Sequence, residues 1–180
     1  MSIRSFFWVL FSVVALHASA QKYVSEKGVI TFFSEAAIED IKADNLKASS
    51  MMNISTTDIA FVVPIREFSF EKKLMQEHFN EKYLESEKYP KATFSGKLDG
   101  FVSTGAPGIQ QVKAKGKLAI HGVTKEVEIS GTVETTTQHI LIKSKFIVRL
   151  EDYKIKIPQL MWQNIAEQVE VSVEFTYKPH

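Results

Sequence analysis

The sequence predicts an all-β protein of about eight antiparallel strands with one short helix between strands. Side chains alternate with a period of two over most of the chain, and turn-forming residues interrupt the runs at hairpin spacing. One stretch alone departs toward helical spacing. Half-buried strands joined in this way fit either a sandwich or a closed barrel, since both bury one face of every strand.

Residues 1–20 hold one charge, Arg4, then an apolar run from Phe6 to Leu16 and the small residues Ala18, Ser19 and Ala20. This pattern predicts a secretory signal peptide cut after Ala20, with 21–180 as a single domain. The apolar run is too short for a stable membrane span, and an uncleaved anchor is the competing reading.

Strands begin at Val29 to Ser34, after the punctuation of Lys27-Gly28, and continue at Ile38 to Ala43. Ala43 to Asn53 is rich in Lys, Ser and Asn and leaves the second strand and its side of the sheet poorly specified. Asp58 to Pro64 is the next alternating run. From Phe70 to Leu84 the residues Leu74, Met75, Phe79, Tyr83 and Leu84 recur at helical intervals, predicting a short amphipathic helix from about Glu71 to Asn80.

Tyr89-Pro90 biases the backbone to extended geometry and leads into a strand at Thr93 to Leu98. After Ala106-Pro107-Gly108, Val112 to Ile120 forms another strand, closed by a hairpin turn at His121-Gly122. Val127, Ile129 and Val133 then oppose Glu126, Glu128 and Glu134. Ile140, Ile142, Phe146, Val148 and Leu150 oppose Lys143, Lys145 and Arg149, with Ser144 interrupting the apolar side. Pro158 and a loop containing Trp162 precede the clearest strand, where Val169, Val171, Val173, Phe175 and Tyr177 alternate with polar residues.

Composition excludes several functions. The chain has 22 Lys+Arg against 21 Asp+Glu, and removal of residues 1–20 takes away Arg4 alone, so the signs balance and no basic face attracts nucleic acid. There is no cysteine, so an exported domain must rest on a hydrophobic core. His78, His121 and His139 stand apart, with no HxH or HExxH spacing, and neither metal nor cofactor is expected.

The block from His78 to Gly96, HFNEKYLESEKYPKATFSG, resembles the signature of the YceI-like family of secreted, lipocalin-like lipid carriers. The resemblance continues at Gly28 to Phe32, Phe61 to Phe70 (FVVPIREFSF), Gly116 to Val127 (GKLAIHGVTKEV), Asp152 to Ile157 and the final strand. It implies one antiparallel lipocalin-like barrel, exported to the periplasm, with a deep apolar cavity holding a long-chain isoprenoid or related amphiphilic lipid. It implies no enzymatic activity and no stable membrane insertion after signal cleavage. Homodimerisation through an edge or helix face accords with it, although no sequence feature demands a dimer.

On this reading the ligand-binding candidates are Phe32, Phe61, Val63, His78, Phe79, Tyr89, Phe94, Leu98, Phe146, Val148, Trp162 and Phe175. Most are inward by strand parity; His78 is a candidate to orient a head group, and Trp162 to form an apolar lip. Two alternatives stand beside the carrier. One is a solidly packed structural or stress-related interaction protein without cargo. The other is a small lipid-modifying enzyme using Asp58, Glu67, His78 or Glu81, though no spacing joins a nucleophile to a base.

Overall fold

The computed structural model describes residues 22–35, 40–157 and 166–178. Its strands are β1 (Lys22–Ser34), β2 (Ile41–Asn45), β3 (Ser49–Asn53), β4 (Asp58–Pro64), β5 (Phe68–Phe70), β6 (Lys91–Asp99), β7 (Gly108–Ile120), β8 (Val123–Thr135), β9 (Ile140–Arg149) and β10 (Gln168–Lys178). One helix, α1 (Lys73–His78), runs on into a wider π-type turn over Phe79–Tyr83.

All neighbouring strands are antiparallel, and pairing of β1 with β10 from Val24↔Lys178 to Phe33↔Glu170 closes the sheet on itself. The result is an eight-stranded barrel, because two of its staves are bent. One edge of β1 pairs with β3 through Lys22–Val24 and with β2 through Ile30–Ser34, so β2 and β3 are halves of one stave broken at 46–48. Their partners β5 and β4 are likewise halves of the next stave, parted by a 3₁₀ turn at Ile65–Glu67. The least regular stretch of sequence, Ala43 to Asn53, is therefore a bent strand.

Asn45 holds this corner. Fully buried, it donates from Nδ2 to the Pro64 carbonyl at 2.7 Å and accepts the Lys47 amide on Oδ1 at 3.0 Å, serving backbone groups that the two breaks free from the ladder. The bend carries Phe68 and Phe70 toward the helix.

Lys27-Gly28 is not a turn, contrary to the sequence expectation. Strand β1 runs through it with a bulge between Ser25 and Lys27, and Gly28 lies opposite Phe175. A Cβ on Gly28 would stand 2.1 Å from Phe175 Cε1, so this residue supplies room for the ring. The first strand thus starts earlier than Val29, and Ile38 lies outside the described residues. The helix forms within the expected span and is shorter, with its turn extending to Tyr83.

The ladder between β8 and β9 covers only Gly131↔Ser144 to Thr135↔Ile140. Beyond that point β8 pairs with β7 and β9 pairs with β10, while the two strands part. At the apex Ser144 Oγ donates to the Ser130 carbonyl at 2.7 Å, replacing a ladder bond. Nearer the top, Lys125 and Asp152 form an ion pair across the gap. Outside the barrel, charges pair across strands, as in Lys97–Asp58 at 2.8 Å and Lys145–Glu170 at 2.8 Å. These exposed pairs add little stability individually but favour one register.

The end remote from the helix is packed solid around Met52, Val133 and Tyr177. The Tyr177 hydroxyl meets Ser50 Oγ at 2.5 Å, and Ser50 Oγ donates to the Ala60 carbonyl at 2.9 Å. Burial pushes the Tyr177 phenol well above the usual tyrosine range, against a smaller downward effect of the Ser50 hydrogen bond.

Two outcomes follow from this packing. Gly28→Ala is expected to lower stability by about 1–3 kcal/mol through collision with the Phe175 ring, read as a drop in urea midpoint. Above about pH 10 an unfolded tyrosine releases its proton while native Tyr177 keeps it, so stability falls as pH rises. Tyr177→Phe removes that contribution. The midpoint of the variant is expected to fall less steeply than wild type between about pH 9 and about pH 11, and parallel curves would contradict the assignment.

Candidate functional site

A cavity of about 380 Å³ occupies the helix end of the barrel. Its lining is almost wholly apolar, and its polar side chains are Ser34, His78, Tyr83 and Thr93. No carboxylate or ammonium group is among them. Burial raises the Tyr83 phenol above its ordinary value. Ser34 Oγ accepts the Ala166 amide at 3.2 Å. The His78 imidazole makes no hydrogen bond or ion pair among the described residues. Nor does any group of three His, Asp or Glu side chains among them stand close enough to hold a metal ion.

Four rings close the helix end. Phe79 stacks on Phe32 with centroids 5.4 Å apart and lies 5.5 Å from Phe68 and 5.0 Å from Phe70. Phe32 also meets Phe68 and Phe70 edge-on at 5.5 and 5.6 Å. Each pair adds about 0.5–1.5 kcal/mol beyond its buried area, which fixes the helix over the lumen. The turn from α1 into the wider π-type turn places Met75, His78, Phe79 and Tyr83 along the cavity, while Leu74, 62% exposed, forms its outer rim.

The opposite limit of the cavity is a ring of Phe61, Phe94, Leu118 and Phe146. Phe61 lies 6.2 Å from Phe94 and 5.0 Å from Phe175. Below this ring a second apolar space of about 70 Å³ is lined by Leu98, Val112, Ala114, Ile129 and Ile142 among others. The ring borders both spaces.

Among the sequence candidates, Phe32, Phe79 and His78 meet at the helix end, Val63 and Val148 form the wall, and Phe61, Phe94 and Phe146 form the ring. Three take other places. Leu98 lies in the lower space, and Phe175 is fully buried beneath Phe61, outside the lining of either space. Tyr89 does not reach the lumen: its ring packs edge-on against His121 at 4.5 Å. Trp162 lies outside the described residues. Phe68, Phe70 and Ile155 also line the cavity. Beyond the resemblance over Phe61 to Phe70, the alternation Phe68-Ser69-Phe70 is the only signal for the first two, and three residues are too few to set a period.

His121 has a part that spacing did not show. Its Nε2 lies 2.8 Å from Glu85 Oε2 and its Nδ1 3.1 Å from the Tyr153 carbonyl. Both neighbours accept, so the ring serves the two at once only when both nitrogens carry hydrogen. Glu85, His121 and Lys154 adopt positive φ of 43°, 51° and 56°, as does Gly122 at 74°. A Cβ on Gly122 would meet Tyr89 Cε1 at 2.5 Å. One imidazole therefore joins the segment after the helix, the β7–β8 turn and the turn after β9. The hairpin turn expected at His121-Gly122 forms between β7 and β8, but the partners of the His121 side chain are remote in the chain and leave no local trace in the sequence.

His121→Asn keeps a residue that tolerates left-handed backbone but cannot bridge both acceptors. It is expected to cost about 1–3 kcal/mol and to speed amide exchange over residues 71–89 before the barrel strands are affected. Uniform exchange throughout the chain would show that His121 does not hold the helix segment.

A model of the YceI-like domain matches residues 12–177 of the chain. The fold is similar to BcnA of Burkholderia cenocepacia, with 13% identity, a TM-score of 0.70 and coverage of 83% of this chain and 95% of that one. It is also similar to a polyisoprenoid binding domain from Saccharophagus degradans implicated in plant cell wall breakdown. That match has 13% identity, a TM-score of 0.75 and coverage of 90% of this chain and 100% of the other. A Campylobacter jejuni YCEI protein matches at 14% identity, with a TM-score of 0.58, over 100% of this chain and 99% of its own. None of the curated proteins matches the chain in sequence.

Proposed function

The chain belongs to the YceI-like domain family, and from that premise we propose that it is an exported carrier of a long-chain isoprenoid or related amphiphilic lipid. The observation that carries this reading is the lumen itself: about 380 Å³ of space bounded by apolar side chains, with its few polar groups including His78 and Tyr83 on the helix segment. Water gains few partners there, whereas each methylene moved from water into such a space gains about 0.8 kcal/mol. The tail thus supplies affinity without a specific polar contact.

An amphiphile still has a polar end, which costs a few kcal/mol to bury unpaired. In this reading the head group lies beside His78 and Tyr83, and the tail runs toward the Phe61–Phe94–Phe146 ring. The polyisoprenoid binding named for the Saccharophagus degradans domain supports an isoprenoid cargo. A binding role, rather than catalysis, accords with a lining that brings no acid–base pair together. Residues 1–20 act as the export signal in this reading, and no helix among the described residues is long and apolar enough to cross a membrane.

The test is mass spectrometry of organic extracts from the mature protein, purified from its native compartment without detergent. A stoichiometric long-chain lipid is expected, and Val148→Trp, which fills the upper lumen, is expected to reduce it at least about tenfold. Wild-type protein that is empty and also refuses added prenols would overturn the carrier reading in favour of a packed interaction module.

A further inference from the structure

The space beneath the phenylalanine ring has no part in the site as described so far. It is an apolar void of about 70 Å³; of the two residues with polar side chains on its wall, Ser144 is committed to the Ser130 carbonyl at 2.7 Å and Lys143 is ion-paired with Glu174 at 3.3 Å. With no free polar partner it does not hold water well, and a void in a packed interior forfeits contacts that a better-filled barrel would make. The chain leaves Ala114 and Gly131 at its wall where larger residues would fill it.

The partition above it is thin and unevenly held. Phe61 is braced by Phe94 at 6.2 Å and by Phe175 at 5.0 Å. Phe146 has no ring partner among the described residues and is only half-buried. It also follows Ser144, where the β8–β9 ladder ends, so β9 at this point is paired only with β10, through Val171. The freest member of the ring therefore stands beside the slackest part of the wall.

We propose that the lower space is a terminal subsite for the distal hydrocarbon end of the cargo, and that rotation of Phe146 opens the way into it. The proposal rests on the carrier reading and makes it more specific. The upper cavity accepts short and long tails alike, while a tail that passes Phe146 gains the contacts of Leu98, Val112, Ala114 and Ile142. The subsite has no head-group chemistry; it selects by length.

Affinities of the mature protein for geraniol, farnesol, geranylgeraniol and solanesol, measured by displacement of a fluorescent lipid, test this. Ala114 borders the lower space and not the upper one. Ala114→Leu is expected to leave the short prenols unchanged and to weaken the long ones about tenfold, as if roughly two methylenes were shut out. Val112→Ile adds a single carbon to the same space and is expected to give the same length-dependent loss on a smaller scale, which keeps the test decisive if Ala114→Leu fails to fold. Phe146→Leu is expected to speed association of the long prenols and not the short ones.

Prenols that bind with no dependence on Ala114 or Val112 would overturn the subsite and leave the carrier intact. An unchanged association rate in Phe146→Leu would remove Phe146 from its role as the gate. Failure of every prenol to bind wild type would overturn the carrier reading and the subsite with it.

Discussion

An eight-stranded ring closed by β1 and β10 encloses a space that its inward side chains need not fill, and the rest of the structure answers to that constraint. At the far end the fully buried Tyr177, Met52 and Val133 fill it, apart from the small space beneath the phenylalanine ring. Toward the helix they do not, so an apolar cavity must be roofed or left open to water. The bent staves, the helix segment and the turn after β9 are responses to this need. Each brings apolar side chains over the opening: the four clustered phenylalanines come from β1, β5 and the helix segment, and the segment after β9 adds Ile155.

Polar groups are placed so that the interior stays dry. Asn45, Ser50, Ser144 and Tyr177 are buried or half-buried, yet each is committed to a backbone carbonyl or to another hydroxyl. They sit where the ladder breaks or where strands end, and an apolar residue there would strand a carbonyl. Most ion pairs lie outside, several of them between neighbouring strands. This division gives a lumen with weak electrostatic demands on its contents.

Strand parity in the sequence located most of the inner face, because a period of two assigns each residue to one side. It could not assign depth along the barrel axis. Phe94 and Phe175 share the same parity logic, yet one borders the cavity and the other lies under Phe61, held there by the absence of a side chain at Gly28. Nor could periodicity separate a barrel from a sandwich, since closure is a pairing between the first and last strands. The hinge at Asn45 and the bridge at His121 were illegible for a related reason: each joins segments far apart in the chain, and a lone polar residue has no pattern. Tyr89 illustrates the limit, its extended backbone anticipated and its outward partner not.

The parting of β8 from β9 has one more consequence. Among the described residues, the β8 edge from Val123 to Ser130 lacks a second strand, and a bare run of amide and carbonyl groups is a template on which another chain can add. At the inward parity of this run stands Lys125, ion-paired with Asp152, between Val123 and Val127. A charge facing inward on an open edge must be buried if a foreign strand docks, which penalises docking. The same lysine that ties the turn to the wall therefore also disfavours cross-β association along this open edge.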